Sequence, residues 1–200
     1  MTVLTHHRAA LIDLFTIASW FAGTAWSVAG PVSNPDHGCT YFPKAKSDVL
    51  HVEHCARLDA AGHLHLRHQH LLALDFGRNG LASVYIDGGW YYVRRDGRLA
   101  AVMTMDNGAE PFSEILARSP VGGKIGFINR NLALVIPARY DGALPFGDAG
   151  AEVCLDCKLV SHGEHSSYEG GRWACIDHHG HERKPFSADR GGGQVCRKDG

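Results

Sequence analysis

Four side chains in the stretch CLDCKLVSHGEH have the types and spacing to hold a metal ion: Cys154, Cys157, His162 and His165. Two thiolates three residues apart can bite one zinc ion, and two imidazoles beyond a short loop can complete a tetrahedron. The same two thiols support other chemistry. Oxidised, they form a structural disulfide with no thiolate left to ligate. With one thiol activated, they exchange disulfides with a substrate. That activation is usually found at a helix N-terminus, whereas this pair follows a β-type segment and precedes a Gly/Ser loop. The order of preference is a structural disulfide, then zinc, then thiol-disulfide exchange.

Histidine is gathered in two further places. HLHLRHQH carries His63, His65, His68 and His70. In a strand, His63 and His65 share one face while Leu64 and Leu66 share the other. Two imidazoles on one strand face could ligate zinc, copper or nickel, but a solvated face explains them more simply. HVEHC, from His51 to Cys55, has ligand residue types at unspecific spacing, and a disulfide accounts for Cys55. No G-x-S-x-G elbow, H-E-x-x-H pair or Walker glycine loop occurs in the chain. Asp141 and Asp148 lie in turn contexts, where capping of local backbone is the expected role. The reading is of a protein that is not an enzyme, with no catalytic residue and no cofactor, zinc being the alternative.

Composition sets outer limits. The 200 residues suffice for one domain with a real core. Lys+Arg number 20 against 21 Asp+Glu, which leaves no basic field to attract nucleic acid or anionic lipid. The first 29 residues have the layout of a signal peptide: Arg8, an apolar run from Ala9, and the small residues Ser27-Val28-Ala29. The expectation is export to the periplasm or beyond, with no membrane attachment after cleavage. Asp13 interrupts the apolar run, so an uncleaved anchor and a cytosolic amphipathic helix stay as lesser readings. All six cysteines, Cys39, Cys55, Cys154, Cys157, Cys175 and Cys196, lie beyond that segment. An even count in an oxidising compartment makes all six disulfide candidates, with pairing left open.

The elements that must position these residues come from a repeat. IGFINRNLALVI, starting at Ile125, falls on WYYVRRDGRLAA, starting at Trp90, at an offset of 125 − 90 = 35. A further step of 35 sets Leu58, Val93 and Ile128 in equivalent places, with Gly62 on Gly97 and Leu64 on Leu99 and Leu134. WACIDHHGHERKP matches at an offset of 48, pairing Ile176 with Ile128 and Pro185 with Pro137. The extra 48 − 35 = 13 residues imply an insertion at 158–170. Self-similarity at a fixed period marks a repeat architecture. WYYVR and IGFIN read as strands, RRDGR as a hairpin turn, and RLAAVM and LALVIP as return strands. ILARS and GAEVC read as third strands following a Phe-containing bend. Pro137, without an N–H, belongs where a strand stops or at a sheet edge. Trp90, Tyr92, Phe127 and Trp173 recur at repeat positions and are expected to be core pegs rather than a ligand platform.

The series GGWYYVRRDG, GGKIGFINRN…VIPARYDGALPF and GGRWACIDHHG resembles the WG-repeat (KWG) family. That unit runs Gly-x-Trp-Gly-Tyr-Ile-Asp, then Val-Ile-Pro-x-x-Tyr-Asp, then Phe. The resemblance covers about Leu58 to Pro185. Trp90 and Trp173 keep the tryptophan and Gly126 keeps the glycine, while Ile125, Tyr91 and Ala174 depart from the pattern. The resemblance implies an all-β repeat fold found in bacterial proteins, and supplies neither a catalytic residue nor a ligand. The expected organisation is a signal peptide at 1–29, a lead-in at 30–57, repeated antiparallel three-stranded meanders at 58–187 in an open stack or propeller-like arrangement, and a tail at 188–200. The expected function is binding or scaffolding of an unknown protein or small ligand.

Overall fold

In a computed structural model the described residues are 36–45, 48–60, 62–163, 165–188 and 195–197. The segment read as a signal peptide lies outside them. Within them the chain is almost all β, and every strand pairing is antiparallel.

Four meanders follow one another. The first is β1 (Asp36–Tyr41), β2 (Leu50–Leu58) and β3 (Leu64–Leu66), followed by the short helix α1 (His68–Ala73). The second is β4 (Leu81–Ile86), β5 (Gly89–Arg94) and β6 (Leu99–Val102). A small hairpin, β7 (Thr104–Met105) and β8 (Gly108–Ala109), leads to the third: β9 (Leu116–Val121), β10 (Lys124–Asn129) and β11 (Leu134–Tyr140). In the fourth, β12 (Gly142–Ala143) and β13 (Ala151–Leu155) precede the hairpin of β14 (Lys158–His162) and β15 (His165–Glu169), and β16 (Arg172–Ile176) and β17 (Glu182–Ser187) complete the sheet. The first two meanders join edge to edge through β1 and β4 into the sheet β3-β2-β1-β4-β5-β6. Residues 36–57, expected as a lead-in, thus supply two strands of the first meander.

One turn is built four times. Asp59, Arg94, Asn129 and Asp177 each receive the N–H of the residue three further on, while their own N–H reaches the carbonyl four further on. The third loop residue is left-handed in every copy: Gly62, Gly97, Leu132 and Gly180 have φ of 81°, 85°, 59° and 80°. This is the three-residue hairpin loop that ends on a left-handed residue.

The hydrogen-bonded unit is out of phase with the sequence unit. ILARS was expected to follow its two preceding strands as the third strand of their meander. It forms β9 and pairs instead with the strand after it, from Lys124↔Val121 to Asn129↔Leu116. Loop length decides this. Gly122 and Gly123, both at positive φ, close β9 onto β10 in a two-residue turn, whereas the path from β6 to β9 runs through a separate hairpin. Each sheet therefore takes its first strand from one sequence unit and the next two from the following unit, which interlocks successive copies.

The cores lie between copies. Tyr41, Cys55, Val84 and Val93 pack together from the first two meanders. Leu81, Val102, Ala117 and Ile128 join the second to the third. Phe127, Ile136, Tyr140, Val153 and Ile176 join the third to the fourth. A single meander offers one apolar face, so burial is completed only by a neighbour. Phe127 and Trp173 are buried pegs, and Trp90 and Tyr92 are half-buried against the second of these clusters.

The family glycine has a local cause. Around Gly126 the pairing passes from Ile125↔Tyr140 to Phe127↔Ile136, so β11 advances four residues while β10 advances two. A Cβ on Gly126 would lie 2.5 Å from the Ile136 carbonyl oxygen and 2.7 Å from the Ala138 nitrogen. At Ala174, in the fourth copy, the partner advances three residues, from Ser187 to Lys184. At Tyr91, in the second, Trp90↔Val102 and Tyr92↔Ala100 enclose no extra residue. The larger the side chain at this position, the smaller the bulge opposite it. Pro137 and Pro185 sit in the bulged backbone of β11 and β17, each at a sheet edge, where a missing N–H breaks no ladder.

Candidate functional site

The segment expected as an insertion is the β14–β15 hairpin, which pairs from Lys158↔Glu169 to His162↔His165. It leaves and re-enters a repeat that closes without it, since β13 pairs directly with β16. Its base is built from a tight turn in which Asp156 has φ 63° and Cys154 is bonded to Cys157, with Cα atoms 6.0 Å apart. The Asp156 N–H donates to Asp141 Oδ2 at 2.9 Å, and Lys124 Nζ donates to Asp141 Oδ1 at 2.6 Å. These bonds, Lys124 first, hold the Asp141 carboxyl below the usual carboxylate range. Asp141 thus ties the third copy to the fourth, fifteen residues away, where local capping had been expected. Gly142 leaves room for the hairpin to seat: a Cβ there would lie 2.5 Å from the Tyr168 ring and 2.6 Å from Cys154 Sγ.

Between this hairpin and the β7–β8 hairpin lies a groove of about 510 Å³. Met103, Met105, Leu159 and Tyr168 line it, with Trp173 and Arg118 also contributing. Leu159 is 60% exposed. Arg118 belongs to a buried ion pair: its Nε donates to Glu110 Oε1 and Oε2 at 3.0 and 3.1 Å, and Nη1 donates to the Ala143 carbonyl at 2.6 Å. Glu110 is 1% exposed. Burial pushes its carboxyl above the ordinary range, against the pull of Arg118. Sequence reasoning passed over this pair, although a signal existed. Two steps of the repeat place Arg118 on Ser83 and Val153, and Val153 is fully buried. An arginine at a core position calls for a buried partner.

The six cysteines form three disulfides, Cys39–Cys55, Cys154–Cys157 and Cys175–Cys196. The last one fastens the tail expected at 188–200, whose Val195 is also buried. Cys154, Cys157, His162 and His165 do not converge. The bonded cysteines are at the base of the hairpin and buried, while the histidines face each other near its tip, about 16 Å of strand away. His162 bonds Glu169 at 2.6 Å instead. The thiol-exchange reading meets the same burial, with Cys154 at 0% and Cys157 at 7% exposure.

His65 lies on β3 and His63 at the turn just before it, both exposed beside Asp59. His68 and His70 belong to α1 rather than to the strand. His70 is a core residue, with Nδ1 2.9 Å from the Tyr41 hydroxyl, and burial lowers its pKa. In HVEHC, His51 bonds Thr40 at 2.8 Å, His54 lies 3.3 Å from Asp36, and Cys55 is taken up by its disulfide.

These features define a disulfide-bonded antiparallel β-repeat protein with one decorated copy. The family model described as WG containing repeat matches residues 125–154, from β10 to β13. The chain thus carries a WG repeat at these residues. The matched unit begins on the middle strand of one sheet and ends on the first full strand of the next, as the interlocked phase requires. No curated protein and no solved structure matches the chain.

Proposed function

We propose that the protein is an exported, non-enzymatic binding module that engages a protein or small-ligand partner at the groove between the β7–β8 and β14–β15 hairpins. The observation that carries this reading is the inserted hairpin, which the fourth meander does not need for its own pairing and which walls the groove. Decoration of this kind on a repeat scaffold is where contact surfaces tend to lie. Three disulfides suit an oxidising compartment. Groups that could have been catalytic have structural work: Cys154 and Cys157 close a turn, Asp141 ties two copies, and Glu110 neutralises Arg118.

The test is site-specific photo-crosslinking in the producing cell. A crosslinker at Leu159 on the hairpin should give a discrete adduct, and one at Leu134 on β11, also exposed, should not. Equal labelling from both positions, or turnover of a substrate that depends on one polar side chain, would contradict the proposal.

A further inference from the structure

The β14–β15 hairpin is a two-stranded sheet by itself, so each of its strands has one edge without a neighbour. The pairing settles which backbone groups stand at that edge. His162 and His165 flank a two-residue turn and form the hydrogen-bonded pair on which such a turn closes. Bonded and non-bonded pairs alternate along an antiparallel ladder. Val160↔Ser167 is therefore bonded, whereas Ser161↔Ser166 and Leu159↔Tyr168 are not. The N–H and C=O of Ser166 and Tyr168 point away from β14. Among the described residues neither backbone meets a partner outside the hairpin. Both residues line the groove, as does Thr104 on the opposite wall. Thr104 holds the same position in its own hairpin. There Asp106 and Asn107, at φ 46° and 63°, make the two-residue turn, Met105↔Gly108 is the bonded pair, and the Thr104 backbone points away from β8.

We propose that the partner enters this groove as an extended, uncharged segment that adds a strand to β15. This mode presupposes that the groove is the contact surface, as proposed above. Outward groups recur every second residue, about 6.8 Å apart along any strand, so one extended segment meets Ser166 and Tyr168 together. Main-chain bonds then supply affinity, and alternate side chains supply selectivity. Those side chains fall on the hairpin face that carries Leu159 and Tyr168, opposite Met103 and Met105, which favours apolar ones. No carboxylate lines the groove, and Arg118 is already taken up by Glu110, so a charged side chain would find no counter-ion. The edge itself is open in a way that others are not. β11 and β17 carry Pro137 and Pro185, whereas β15, reading HSSYE, has neither proline nor lysine to discourage pairing.

The test is amide and methyl NMR of the disulfide-intact protein, titrated to millimolar with a capped hexapeptide of alternating threonine and valine as the probe. The Ser166 and Tyr168 amides should shift, while that of Ser161, at the outer edge of β14, should not. A copy of the probe N-methylated at every residue cannot donate and should bind at least about tenfold more weakly. Ser166→Pro removes one outward N–H, leaves the Val160↔Ser167 pair in place, and should weaken the probe about tenfold. Ser166→Ala keeps the N–H and should change binding less than about twofold. Shifts confined to the Met105 and Leu159 side chains would overturn the added strand and keep the groove as a contact surface. No shift at millimolar probe, or equal binding of the N-methylated copy, would also overturn it. A Leu159 adduct in the cell alongside such a result would leave the groove reading standing, and absence of both would sink the two together.

Discussion

The two end copies and the two middle copies of the repeat are held in different ways. Every cysteine belongs to the first copy, the fourth copy or the tail fastened to the fourth, and none occurs between Cys55 and Cys154. The middle copies have a neighbour on each side and share cores with both. An end copy has one neighbour to pack against. Repeat proteins commonly meet this with polar capping units, and here covalent loops take that place. The closed loops of Cys39–Cys55 and Cys175–Cys196, separated by 16 and 21 residues, are each worth about 3 kcal/mol in the chain-entropy picture. The lesson is that burial runs through all four copies and that cross-links are added at the ends.

The largest effect that would sharpen this contrast is in the centre. Arg118→Ala leaves the Glu110 carboxyl without its partner in a buried site, and should lower stability by about 3–5 kcal/mol in urea unfolding. A loss under 1 kcal/mol would mean that the middle copies do not depend on their buried contacts. Next comes an end. Cys39→Ser with Cys55→Ser should cost about 3 kcal/mol, and hydrogen exchange should quicken in β1, β2 and β3 while β9, β10 and β11 keep their protection. Uniform loss of protection would erase the distinction between ends and centre. A smaller effect separates the two middle copies from each other. Gly126→Tyr writes the second copy's residue into the third, where the bulged β11 backbone leaves no room for a Cβ, and should cost about 1–3 kcal/mol. An unchanged thermal midpoint would sever the link between side-chain size and bulge.

Much of this scaffold was readable in the residues. The steps of 35 and 48 located the copies and the inserted hairpin because strand and turn residues recur wherever the same backbone recurs. Pro137 announced a strand end or a sheet edge because it lacks an N–H. What stayed hidden were choices made between elements. The phase of the sheets depended on which of two connections was short, and a list of strands does not rank them. Asp141 read as a local cap because its partner, the Asp156 N–H, comes close only once β12 pairs with β13. His70 read as one of an exposed group, since nothing in HLHLRHQH marks the change from strand to helix that turns it toward Tyr41. Asp59 carried no signal until the turn placed its carboxylate against His63 and His65.

The most direct test of a scaffold stapled at its ends is the intact mass of the protein after alkylation without reduction. The account predicts no added alkyl group, hence three disulfides, and proteolytic mapping should give Cys39–Cys55, Cys154–Cys157 and Cys175–Cys196. Two or more alkyl groups on Cys154 and Cys157, or on either end pair, would contradict it and return thiolate chemistry to the base of the hairpin.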